Sequence, residues 1–588
     1  MRLCLVKPVP VSLTTVCPIL PAKRPWLVAA CLLALALPTW ADEPSTASVR
    51  ASQSPAPPYV TNDAERYEFH VMAGEMAIQR GDRQLAAREY ADAVQFSRDP
   101  ALAERATRIA VYAEQPEAAY RASRVWSDGA LQSVEAQRAA TRLAFVADDA
   151  PALSDYARRL VAAAPSPDMG YRMLAEVLTG EPSKADLAID TLTKLAADDA
   201  KSAPAQYALG SVALAYNRLP VADRASAAAQ TLDSNWTDAA LLRAGVLIRQ
   251  GKIAGAERQI AGLPGSRKKR ARYHASLARL LLQAGNNDAG RDEFRQAVGI
   301  DSSYSDARFG WALVSLGLGD LEVARAQFQH LYDQKDRADD AAFYLGAVAN
   351  EQKRYADAQQ WYQRVQNGNH AFEAQLRAAQ MIYRQGDLAS ARQRLTELRK
   401  AYPDMVDALR GAESELLLDS GDLQAALDLM NAGLEDNPGN TDLLYGRSLV
   451  YERMGRIDDA EKDLQQMLAR DADDPRALNA LGYMLTNHGD DYPRARTLIA
   501  RALRADPDNA AVLDSMGWVQ YKLGRMDRAR ENLEKAYKSQ PDAEVAAHLG
   551  EVRWVQGDKQ AARRIWQDAH AKAPDNAALN ETMKRLDS

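Results

Sequence analysis

The chain has 588 residues, with 73 Lys and Arg against 79 Asp and Glu, for a formal net charge of −6. That acidic balance argues against nucleic acid as the main partner, because phosphate binding needs a dominant basic surface. Cys4, Cys17 and Cys31 all precede residue 42, so the rest of the chain has no disulfide, no thiolate nucleophile and no cysteine metal site.

At the N-terminus, Lys23 and Arg24 precede an apolar stretch, Trp26 to Leu37, which Pro38 breaks. Thr39-Trp40-Ala41 then offers small residues at the two positions a signal peptidase reads. Residues 1–41 are therefore expected to be a secretory signal peptide. The stretch is shorter than the ~20 apolar residues a membrane helix needs. An alternative reading rests on Val28-Ala29-Ala30-Cys31, which resembles a lipoprotein cleavage box and would place a lipid anchor on Cys31. Cleavage after Ala41 removes Arg2, Lys7, Lys23 and Arg24 and no acid, taking the net charge to −10. No other stretch is long and apolar enough to span a membrane. Residues 42–63, rich in Pro, Ser and Ala, are expected to form a disordered linker.

From residue 64 onward the text is helical, since Ala, Leu, Arg and Gln dominate and lose little rotamer freedom in a helix. Gly74, Gly81, Ala86, Tyr90 and Ala93 mark one helical hairpin. Residues 101–202 read as helical but drift from any fixed period, so 64–202 is expected to be a partly degenerate set of repeats. Over 203–576 the period is regular. Gly251, Gly285, Gly319, Gly386, Gly421, Gly455, Gly489, Gly524 and Gly557 each precede a new helical run, with Lys353 filling the one gap. The steps are 33 to 35 residues, and Asn217 sits 34 before Gly251. Glycine at this spacing predicts a left-handed turn that stops one helix and reverses the chain.

Companion positions repeat with the turns. Leu513, Met516 and Gly517 precede the turn at Gly524; Ala529, Leu533 and Ala536 follow it, and Pro541 ends the unit. The next unit gives Leu549, Gly550, Gly557, Ala562, Trp566, Ala569 and Pro574. Small residues let two antiparallel helices approach, and large ones fill the space between pairs. Residues 577–588 are expected to form a capping helix over the last apolar face. This small-large-small pattern at ~34 residues resembles the tetratricopeptide repeat. The resemblance implies an all-α, right-handed superhelical solenoid of helix-turn-helix repeats, about fifteen units long, degenerate near the N-terminus.

The sequence carries no catalytic, cofactor-binding or metal-ligating motif. Its seven histidines, His70, His274, His330, His370, His488, His548 and His570, are scattered, and none has metal-ligand spacing. There is no Gly-x-Ser-x-Gly turn and no phosphate-cradling loop. One basic run, Arg267-Lys268-Lys269-Arg270 with Arg272, stands at an expected corner between units, where it is a solvated turn or a dock for an acidic partner. A solenoid binds partners on the surface its first helices line. On that face the last units present Tyr445, Asn479, Tyr483, Asp514, Trp518, Tyr521, Glu551 and Trp554. Aromatics there either build a protein-binding groove or pack against the neighbouring helix.

Three strings, Ala477–Tyr483, Leu513–Trp518 and Glu544–Glu551, resemble the tetratricopeptide lipoprotein that serves as adaptor to a periplasmic carboxyl-terminal-processing protease in pseudomonads. The likeness extends from about Asp442 to Leu586. It implies a non-enzymatic, exported scaffold in the periplasm, attached to the outer membrane, that brings cell-wall hydrolases to a serine protease. The alternative is a scaffold for envelope assembly or polysaccharide export.

Overall fold

The computed structural model describes residues 62–587. The expected signal peptide, Cys31 and nearly all of the expected linker lie outside the described residues. Asn62 already caps the first helix, Asp63–Gln79, in a capping box with Glu65.

Among the described residues there are 31 α-helices and no strand, so the all-α expectation holds. They fall into two compact units, one ending at Asp320 and the other beginning at Leu321. The first runs from Asp63–Gln79 to Ser305–Gly317, and the second from Leu321–Asp333 to Ala577–Leu586. The boundary between them falls inside the stretch expected to be one regular array. No helix of the described residues is long and apolar enough to cross a membrane.

Within each unit the helices form antiparallel hairpins, and the close approach has a simple cause. A glycine on the first helix receives a large side chain 16 residues later on the second. Tyr90 lies on Gly74 and Tyr362 on Gly346, where a Cβ would come within 2.8 and 2.7 Å of the rings. Leu533 lies on Gly517, and a Cβ on Gly550 would overlap the indole of Trp566. Tyr90, Tyr362, Leu533 and Trp566 are fully buried. This is the small-large pairing the repeat pattern predicts, and each burial removes a large apolar side chain from water.

The reversals follow the predicted spacing. Gly455 and Gly524 take φ of 72° and 74°, while Asn217 (56°) and Lys353 (59°) hold the same left-handed conformation without glycine. Two corrections arise. Residues 101–202 keep the period that their text conceals: Glu114 (φ 54°) and Asp148 (φ 57°) stand 33 and 67 residues after Gly81 in the same turn conformation. Gly489, in contrast, is extended (φ −125°, ψ −169°), because its helix runs one residue longer than its neighbours, through His488. Asp491 then caps the next helix by accepting from the Arg494 N–H.

The final helix, Ala577–Leu586, buries Leu579 against Trp566 and Ala569, as a cap over the last apolar face should. It is tied down by Arg563 to Asp587 at 2.6 Å.

Candidate functional site

The first helices of the last three repeats, Pro475–His488, Ala510–Lys522 and Ala543–Val555, carry most of the predicted face. Each starts on a side-chain cap, Asp474, Asn509 and Asp542 in turn, which accepts first-turn N–H groups and fixes the rotation of the helix.

That rotation brings Tyr483, Asp514, Trp518, Tyr521 and Glu551 together around His548. His548 Nδ1 lies 3.0 and 3.1 Å from the two Asp514 oxygens. The imidazole stacks on Trp518, with centroids 4.2 Å apart and planes 18° apart. Trp518 stacks in turn on Tyr521 and donates its indole N–H to Asn487 Oδ1 at 2.9 Å. The Tyr521 hydroxyl donates to Glu551 at 3.1 Å, and the Tyr483 hydroxyl to Glu544 at 2.8 Å. Arg585 of the final helix closes the network on Glu551 at 2.5 Å. Asp514, Trp518, His548 and Glu551 are all under 10% exposed, so these groups brace neighbouring helices rather than face open water.

The electrostatics follow from burial among carboxylates. Burial disfavours charge on His548, but Asp514, by attraction and hydrogen bonding, with Glu544 and Glu551, outweighs it and raises the pKa above the usual histidine value. Burial, then the nearby Glu544 and Asp514 charges, push Tyr483 well up. Burial and Glu551 push Tyr521 up to about 12. An Asp–His pair suggests acid–base chemistry, but the adjacent hydroxyl, Ser515, donates to its own helix at Ala511 O. Among the described residues no cluster of His, Cys, Asp and Glu could hold a metal ion.

Three predicted face residues stand apart from this network. Tyr445 lies under the Arg476 guanidinium at 5.8 Å. Asn479 keeps a buried Oδ1 without a donor. Trp554 stacks on Trp566 and is flanked by Lys559 and Arg563, at the end of the array.

Comparison with known proteins matches this architecture. One profile described as "Tetratricopeptide repeat" covers residues 241–305, 309–374, 376–441 and 515–578, and a second of the same description covers 417–482. The chain belongs to the tetratricopeptide repeat family. A TPR repeat-containing protein of Pseudomonas aeruginosa is 40% identical over 213 residues, 36% of each chain. Cellulose synthase operon protein C of Xanthomonas axonopodis pv. citri is 24% identical over 438 residues, 69% of this chain and 27% of that one. The chain therefore spans about a third or less of the length of these curated relatives. Similar solved structures include a thermophilic TPR protein of Thermus thermophilus (22% identical, 29% of this chain and 94% of that one, TM-score 0.28). Another is a tetratricopeptide repeat protein of Parabacteroides merdae (16% identical, 43% and 100% covered, TM-score 0.33).

The tetratricopeptide period also explains what reading single helices missed. His548 and Arg585 were not among the predicted face residues, yet each lies 34 residues beyond its carboxylate, Asp514 and Glu551. One repeat step places residues side by side on neighbouring elements, so opposite charges at that separation were the available signal. Asn487 and Glu544 follow no such rule, and only the packing reveals them.

Proposed function

We propose that this tetratricopeptide repeat protein is a non-enzymatic adaptor of the cell envelope. It would bring protein substrates, cell-wall hydrolases, to a periplasmic carboxyl-terminal-processing protease. One observation carries the reading. The three strings that resemble that adaptor family supply the core of the network in the last repeats: Tyr483, Asp514, Trp518, Glu544, His548 and Glu551. The 40% identity to a Pseudomonas TPR repeat-containing protein supports the same direction. A stacked, hydrogen-bonded brace keeps neighbouring first helices at fixed separation, and a fixed inner face lowers the ordering cost of binding a partner. Holding protease and substrate on one chain would raise their effective concentration, and tethering of this kind gains about 10²–10⁴ in avidity.

A second reading is favoured by the match to cellulose synthase operon protein C, which covers 69% of this chain. On it the repeats scaffold polysaccharide export. Affinity capture from cell envelopes with the tagged chain, read by mass spectrometry, separates the two. Recovery of a carboxyl-terminal-processing protease together with hydrolases supports the adaptor. Recovery of export machinery with neither protease nor hydrolase overturns it.

A further inference from the structure

The basic run singled out in the sequence has no role in the packing. Arg267, Lys268, Lys269 and Arg270 form the first turn of the helix Arg267–Gln283, and all four are exposed, as is Arg272 two residues further on. Ser266 caps this helix by accepting from the Lys269 N–H. The first turn holds no acidic residue. Cations at a helix N-terminus oppose the macrodipole, and four in succession repel one another. Other helices of the chain place acids there, such as Asp63 and Glu65, or Asp458 and Asp459.

The fold does not neutralise the run. Among the described residues none of the five cations makes an ion pair, and Arg267 spends its Nε on the Ile300 carbonyl. Elsewhere in the same unit Arg291 reaches Asp288, Asp292 and Asp320. A chain of net charge −6 thus concentrates five unpaired positive charges on one exposed turn, at a conformational disadvantage. The equivalent turns of the preceding and following repeats carry Asp233 and Asp301, so the positive surface is narrow. A broad anionic sheet would meet those carboxylates, whereas a single extended acidic strand would not.

We propose that Arg267–Arg272 is a docking surface for an acidic segment of a partner protein. The proposal rests on the scaffold reading above and gives it a second binding region, chemically separate from the network in the last repeats. The cations supply charge-assisted hydrogen bonds to carboxylates, and association is steered and salt-dependent.

The test uses the full chain and a fluorescein-labelled peptide of alternating Glu and Ser, followed by anisotropy, with a Lys and Ser peptide as control. The comparison variant carries Arg267→Gln, Lys268→Gln, Lys269→Gln and Arg270→Gln together. These changes relieve repulsion at the helix start, so the variant keeps its fold, which circular dichroism verifies. The expected result is selective binding of the acidic peptide, weakened about tenfold or more in the variant and by added salt. A Tyr521→Phe variant, altered only in the distant network, binds the acidic peptide as the parent does. Equal binding to the parent and the Gln variant, or no preference for the acidic peptide, overturns the proposal and leaves the adaptor reading standing. Binding to phosphatidylglycerol vesicles without binding to the peptide overturns it in favour of a membrane surface.

Discussion

Replacing Gly550 with Ala tests whether the hairpins are set by glycine-to-large contact. The added methyl would meet Nε1, Cε2 and Cδ1 of Trp566, all atoms of a rigid ring that is fully buried. Trp554 stacks on that ring at 5.6 Å, so it has little room to retreat. Overpacking of this kind costs about 1–3 kcal/mol, and the upper end applies to a planar ring. Alanine returns about 1 kcal/mol of helix propensity, leaving a net loss of about 2 kcal/mol. At Gly517 the nearest atoms are branch atoms of Leu533 at 2.5 and 3.0 Å, which can rotate aside in part, so the loss falls to about 1 kcal/mol. At Gly446 only Met430 Sδ, at 3.1 Å, stands in the way. Methionine is flexible, so Gly446→Ala should be neutral or stabilising by up to about 1 kcal/mol. Repeat arrays open locally, so native-state hydrogen exchange of each hairpin is the assay. Gly550→Ala should speed exchange in the last hairpin roughly thirtyfold, Gly517→Ala by less, and Gly446→Ala not at all. Unchanged protection in Gly550→Ala alongside a loosened Gly446→Ala would refute the packing argument.

Stability of the last repeats should depend on pH through His548. Its folded pKa is raised, so the stabilisation is fully present below the unfolded value of about 6.5 and is lost as pH rises through the folded value. His548→Gln should abolish that dependence, and an NMR titration placing His548 below the ordinary range would count against the network. Arg585→Ala leaves Glu551 buried with Tyr521 as its remaining partner. Because the guanidinium is half-exposed, the expected loss is about 1–2 kcal/mol, read as faster exchange in Ala577–Leu586. Lys353 is exposed and left-handed, so Lys353→Gly should stabilise its hairpin by about 1 kcal/mol in denaturant melts; Gly455→Ala, with no atom near the added methyl, should cost a similar amount.

The repeat was legible in the text because its physics is local. A turn residue, a small residue before it and a large one after it recur at a fixed step, and each position has one packing task. Hence Gly517 with Leu533, and Gly550 with Trp566, could be paired before any helix was seen. Glu114 and Asp148 hid the period in the N-terminal repeats, since neither residue type announces a left-handed turn. The helical class, the hairpin step and the final cap were thus determined by the sequence alone. What it left open was which side of each first helix meets a neighbour. Periodicity put Trp518 and Trp554 at related places on successive first helices. Tertiary packing sent one into a buried stack with His548 and the other onto Trp566 at the end of the array. That choice depends on the rotation and separation of neighbouring hairpins, which are properties of the contact between units and are not encoded in any single one.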